Sequence, residues 1–138
     1  SQQFEHVSRD YFNENPAYAT DGALTFYSNA ARAKDIEGVD MKGLWDLGCQ
    51  HLINLKRESP NERSFGAQSA LEHGLSHFQL GVINDQSIPK EEKLSRIDTI
   101  NKIAKDMEVN LPSLKPDLIP ELSSAAPKGP CLQAPGIR

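Results

Sequence analysis

His73 and His77 stand one helical turn apart in the run His-Gly-Leu-Ser-His, the spacing at which two imidazoles on one helix face reach a single metal ion. Glu72, next to the first of them, and His51, on a separate segment, are the residues that would extend such a set. The run lacks the internal glutamate that acts as general base in helical zinc proteases, so the spacing carries ligation without hydrolytic chemistry. Surface or packing histidines are the plainer reading of His73 and His77, and no metal or other cofactor is expected.

A second group is cationic. Lys56, Arg57 and Arg63 flank the turn around Ser59-Pro60-Asn61-Glu62, where a helix beginning at Pro60 points free N–H groups at the same place. Together they form a candidate site for a phosphate or a phosphoinositide headgroup. The competing reading is that Lys56 and Arg57 complement the C-terminal end of their own helix, with Glu58 and Glu62 diluting the charge. Cys49 lies inside a helical pattern, a position typical of a buried small side chain rather than a nucleophile. Pro127-Lys128-Gly129-Pro130 matches the minimal pattern read by polyproline-binding domains, and a linker explains it equally well. No Gly-x-Ser-x-Gly elbow, phosphate-binding glycine loop, Cys-x-x-Cys pair or dinucleotide fingerprint occurs, so the sequence gives no reason to expect an enzyme.

The elements that would position these residues are helical. Over Met41 to Glu58, Met41, Leu44, Trp45, Gly48, His51, Leu52 and Leu55 share one face at about 100° per residue, and Leu47, Cys49 and Ile53 widen it on both sides. So broad a face predicts a central helix covered by neighbours on two sides. Asp40 is its N-cap. Ser59 and Glu62 form a capping box around Pro60, predicting that the next helix starts there with almost no loop. That helix buries Ala67, Leu71, Leu75, Phe78 and Val82, and beside them runs a stripe of small residues, Gly66, Ala70, Gly74 and Gly81. Interior glycines cost about 0.5 to 1 kcal/mol each relative to alanine, so the stripe predicts a neighbouring backbone packed at short range. Trp45, Leu52, Leu71 and Phe78 are the expected core anchors.

Around this hairpin, Phe4, Val7, Tyr11 and Phe12 fit a short helix stopped by Asn13 to Pro16. Thr20-Asp21-Gly22 reads as the cap of an alanine-rich helix running to a stop at Gly38. Its small side chains suit the close approach expected at the glycine stripe. Ser87-Ile88-Pro89 opens a last helix with Glu91 and Glu92 in its first turn and Leu94, Ile97, Ile100, Ile103, Ala104 and Met107 as its apolar stripe. Lys93 and Arg96 are placed mainly on its outer side. Beyond Asn110, six of the nine prolines make further regular structure improbable. Leu111 to Leu122 reads as a strap across the bundle, and the chain after Ser123 as a mobile tail.

Composition bounds the function. The 138 residues, 38% of them hydrophobic, suffice for one domain with a real core. The net charge of −4 lacks the basic excess of a dedicated nucleic-acid-binding domain. Two cysteines make no disulfide framework, which suits a reducing compartment. No apolar run spans a bilayer, Ser1-Gln2-Gln3 has no signal-peptide character, and an initial serine suggests an excised or processed chain. The sequence therefore predicts an all-α fold: a compact bundle of four to five helices over 1–110 and a proline-rich strap and tail over 111–138. The expected function is a non-enzymatic, cytoplasmic binding or adaptor module that recognises a protein partner through a helix face. The alternative is a headgroup-binding domain peripheral to a membrane, and a metal-dependent helical enzyme comes third.

Overall fold

Four helices and no strand make up the described part of the chain, which in this computed structural model is residues 16–33, 37–58 and 63–112. In order they are α1 (Pro16–Arg32), α2 (Met41–Glu58), α3 (Phe65–Asn84) and α4 (Lys90–Asp106). The expected helix of Phe4 to Phe12, the Ser59–Glu62 capping box and the proline-rich strap and tail beyond Pro112 lie outside the described residues. None of the helices is long and apolar enough to cross a membrane.

α1 begins earlier than its local signals suggest. Pro16 is its first residue, a position where the missing N–H is not needed and the ring pre-sets φ. Thr20 is therefore no cap; it is buried with Ala17, Leu24, Tyr27 and Ser28 on one helical face. The helix also stops earlier, at Arg32, where the Ala33 N–H is shared between the carbonyls of Asn29 and Ala30 at 3.1 and 3.2 Å. Gly38, with φ of 75°, instead serves the linker that leads to Asp40.

α2 has the bounds its periodicity implies. The Asp40 carboxylate accepts from the Gly43 N–H at 2.9 Å, which satisfies one of the helix's unpaired donors. Leu52 and Leu55 are buried, and Met41, Leu44, Trp45 and Cys49 pack against the core while partly exposed. The expected cover on both flanks is missing among the described residues, because Leu47 and Ile53 remain 50% and 54% exposed.

α3 starts at Phe65 rather than Pro60. Arg63 and Ser64 are non-helical, and the Ser64 hydroxyl is the cap, accepting from the Ala67 N–H at 3.1 Å. With this cap in place the Arg63 guanidinium reaches the Met107 carbonyl at 2.7 Å. Leu71, Leu75, Phe78 and Val82 are fully buried.

The glycine stripe lies against α1, as its composition predicts. A methyl group built on Gly74 would sit 2.9 Å from the Asp21 Cα, and one on Gly81 would sit 2.9 Å from the Ser28 Cα. Gly66 faces the Tyr18 hydroxyl, the far end of a side chain rather than backbone. Residues 18, 21 and 28 thus meet 66, 74 and 81 in ascending order, so α1 and α3 run parallel. α2 returns antiparallel and packs across this pair, with Gly48 facing Leu24 of α1 and Phe78 of α3.

α4 packs Ile97, Ile100, Ala104 and Met107 into the core. Its end is a Schellman motif, the Val109 N–H donating to the Ala104 carbonyl at 2.8 Å and the Glu108 N–H to the Lys105 carbonyl at 3.1 Å. Glu108 takes the left-handed conformation this requires, with φ of 58°. Lys93 and Arg96 are not on the outer side but buried, at 8% and 7% exposure. Each is buried with a partner: Lys93 Nζ donates to the Ile83 carbonyl at 2.6 Å, and Arg96 Nε to Glu92 Oε2 at 2.9 Å.

Candidate functional site

Four places in the described residues hold side chains capable of binding. The largest is a polar and aromatic cluster where α1, α2, α3 and α4 meet. Asp85, just beyond the end of α3, is 1% exposed and accepts from the Tyr27 hydroxyl at 2.6 Å, the Ser87 hydroxyl at 2.6 Å and the Ser87 N–H at 2.9 Å. Arg96 Nη1 approaches it at 3.9 Å, an ion pair just outside hydrogen-bond reach. Burial alone would favour the neutral carboxyl, but the Ser87 and Tyr27 hydrogen bonds and the Arg96 charge outweigh it and hold the Asp85 pKa below its ordinary value. Tyr27 is pushed well above the usual phenol range, first by burial and then by the same Asp85 contact.

Trp45 completes the cluster. One ring face stacks on Phe78, with centroids 4.6 Å apart and planes 17° from parallel. Tyr27 meets both rings edge-on, at 5.9 Å to Trp45 and 5.3 Å to Phe78. The Arg96 guanidinium lies 4.5 Å from the Trp45 ring centroid, a cation–π geometry that stabilises a cation with little access to water. Leu52, Leu71 and Phe78, the other expected anchors, are each 0–1% exposed. Most groups in this cluster are partnered within the fold, while Arg96 Nη1 is buried with no hydrogen-bond partner among the described residues.

The basic residues meet elsewhere than at their own turn. Lys56 Nζ pairs with Asp106 Oδ2 at 3.0 Å, while Arg63 bonds Gln68 Oε1 at 2.8 Å as well as the Met107 carbonyl. Gln68 Nε2 donates to the Glu108 carbonyl at 3.1 Å. Lys56 and Arg63 thus complement the C-terminal end of α4, where unpaired carbonyls favour positive charge. Arg57 turns back along α2 to Asn54 Oδ1 at 3.0 Å. A helix other than their own collects two of these three cations, which sequence spacing had no means of showing.

The histidines are brought together. His73 and His77 have ring centroids 4.2 Å apart with the planes tilted by 38°, and His73 Nδ1 lies 2.8 Å from Asp21 Oδ1 on α1. His51 and Glu72 do not join them: among the described residues no group of three or more His, Cys, Asp or Glu side chains is placed to hold a metal ion. Cys49 is half-buried, and burial together with the Asp46 charge pushes its thiol up to about 11, the opposite of nucleophile activation. The Pro127–Pro130 motif and Cys131 lie outside the described residues.

The fourth feature is apolar. On α2, Leu47 and Ile53 flank Gln50 on the outward side, all three exposed. The sequence had marked both apolar residues, but as buried ones. A cleft of about 170 Å³ between the end of α1 and the turn after α3 is lined by Ala30, Val39, Met41, Asp85 and Ser87 among others.

No protein-family model, curated protein or solved structure matches the chain.

Proposed function

We propose that the chain is a non-enzymatic helical module that binds a protein partner through the outward face of α2. The observation supporting this reading is the pair Leu47 and Ile53, half-exposed on either side of Gln50 while the opposite face of the same helix holds the core. Residues six apart lie about 120° from one another on a helix, so together they border a face broad enough for an apposed helix or loop. Gln50, Asp46 and Arg57, also exposed, fall between them on the same face, so the surface offers apolar contacts at its edges and polar and charged ones along its middle. The headgroup reading has weaker support, because Lys56 and Arg63 are engaged at the end of α4.

The test is affinity capture with the parent and with a Leu47→Asp, Ile53→Asp variant, followed by direct binding of the purified partner. Both positions are exposed, so the variant should keep its stability to within about 0.5 kcal/mol and lose the partner at least tenfold. Binding to the parent should be nearly insensitive to salt, since apolar contacts are not screened. A partner held equally by the variant, or capture by anionic vesicles that falls steeply with salt, would remove the reading.

A further inference from the structure

His77 Nδ1 lies 3.0 Å from the carbonyl oxygen of His73. A carbonyl only accepts, so this nitrogen carries the proton, and in the neutral ring the lone pair resides on Nε2. The same logic fixes His73. Its Nδ1 faces Asp21 Oδ1 at 2.8 Å, a carboxylate oxygen that also accepts from the Thr25 hydroxyl at 3.2 Å, so here too the proton sits on Nδ1 and Nε2 is the free donor atom. Both rings are thereby held in the tautomer that a metal ion requires, each by the kind of partner, a carboxylate or a backbone carbonyl, that orients ligating histidines.

Spacing agrees with this. Two imidazoles bound through Nε2 at about 2.0–2.1 Å in neighbouring coordination positions about 90° apart put their ring centroids about 4.5 Å from one another. The centroids of His73 and His77 are 4.2 Å apart, with the planes tilted by 38°. The His73 side chain is 54% exposed, leaving the remaining coordination positions open to water.

We propose that His73 and His77 form a two-histidine site for a divalent transition-metal ion on the outer face of α3, with Asp21 of α1 as the positioning residue. Two neighbouring imidazoles plus water suit the tetragonal geometry of Cu²⁺ and Ni²⁺, with Cu²⁺ the tightest binder among the first-row ions. The bound ion clamps one turn of α3 and, through the Asp21 contact, fastens that turn to α1. Since a preformed pair of this kind exists only in the folded chain, the ion raises the unfolding temperature as well as binding.

The experiment is calorimetric titration of the full chain with Ni²⁺ in a non-coordinating buffer, with thermal unfolding recorded at each metal concentration. The parent should bind one ion and unfold at a higher temperature with Ni²⁺ than without it. His73→Gln and His77→Gln should each weaken binding at least tenfold and abolish the thermal shift. A His6→Gln, His51→Gln double variant should bind as the parent does. Asp21→Asn should weaken binding by roughly tenfold to a hundredfold, the usual effect of removing an orienting carboxylate, while keeping the one-ion stoichiometry. Circular dichroism of each metal-free variant verifies that the helices are intact, which separates lost ligation from lost fold. No thermal shift in the parent, equal Ni²⁺ affinity in the parent and the His77→Gln variant, or loss of binding with His6 and His51 would overturn the site. Unchanged affinity in Asp21→Asn would overturn the positioning role of Asp21.

Discussion

The seam between α1 and α3 and the seam that joins α2 to α4 solve the same packing problem in opposite ways. Along the first, glycines remove side chains altogether: Asp21 and Ser28 bring their own Cα atoms to where a methyl on Gly74 or Gly81 would lie. Along the second, long side chains fill the gap. Trp45 stacks on Phe78 and carries Arg96 on its ring, and Lys56 reaches Asp106. The first seam gains dispersion from close backbone contact and tolerates no added atom. The second depends on a few large groups, including a buried charge that is stable only while its partners remain.

The largest effect is expected where the second seam meets the buried carboxylate. Asp85→Ala removes the acceptor for Tyr27 and Ser87 and leaves the buried Arg96 to Glu92 and the Trp45 ring, and breaking such a network around a buried charge typically costs about 3 to 5 kcal/mol; denaturant unfolding measures it. The sign of the pH dependence follows from the lowered Asp85 pKa. Its contribution is fully present above the ordinary carboxylate range and is lost as pH falls through the folded-state value. Asp85→Ala should therefore be closest to the parent in strong acid and furthest from it near neutrality.

Trp45→Ala comes next, at about 3 kcal/mol, because the side chain is only partly buried although both ring faces are covered. A change within the error of the unfolding measurement would show that Arg96 and Phe78 hold that seam without it. At the glycine seam, Gly74→Leu should cost about 1 to 3 kcal/mol or more by driving the backbones apart. Gly74→Ala sharpens the contrast. Helix propensity favours alanine by up to about 1 kcal/mol, yet a methyl 2.9 Å from a backbone carbon should reverse that sign, and a stabilised alanine variant would mean that the helices separate readily.

Smaller effects belong to the helix ends. Glu108→Gly should stabilise by up to about 1 kcal/mol in thermal unfolding, since a non-glycine residue is strained at the left-handed position it occupies. Lys56→Ala should cost about 0 to 1 kcal/mol, because both partners of its ion pair are more than half exposed. A larger loss would make that contact part of the second seam rather than an ornament at its edge.

Much of the architecture was legible. Met41–Glu58 and the last helix follow their periodicity closely, and the glycine stripe announced a close neighbour, a place for which the small side chains of the alanine-rich helix were suited. Helix starts were less so. Ser59 and Ser64 offer rival caps, and Pro16 is equally able to stop one helix or begin the next; local preference of about 1 kcal/mol does not decide between such choices when tertiary contacts weigh more. The central cluster went unread because Asp85 sits in what looked like a polar turn. Its one local sign was the Asp-x-Ser pattern that lets a carboxylate bond the backbone two residues on.

By itself the sequence determined what short-range physics controls: that the chain is helical, which faces are apolar, where Asp40 caps, and that something must lie close to Gly74 and Gly81. The tertiary structure alone decided which charges are buried and which apolar residues are not. Arg96 and Lys93 read as surface residues by periodicity, but they are buried because Trp45, Asp85 and the Ile83 carbonyl are in place to receive them. Leu47 and Ile53 read as core and stay exposed because no described element covers the flanks of α2. Burial of a charge depends on partners distant in sequence, and exposure of an apolar side chain on which other elements reach it, and neither is written in the residues that show the effect.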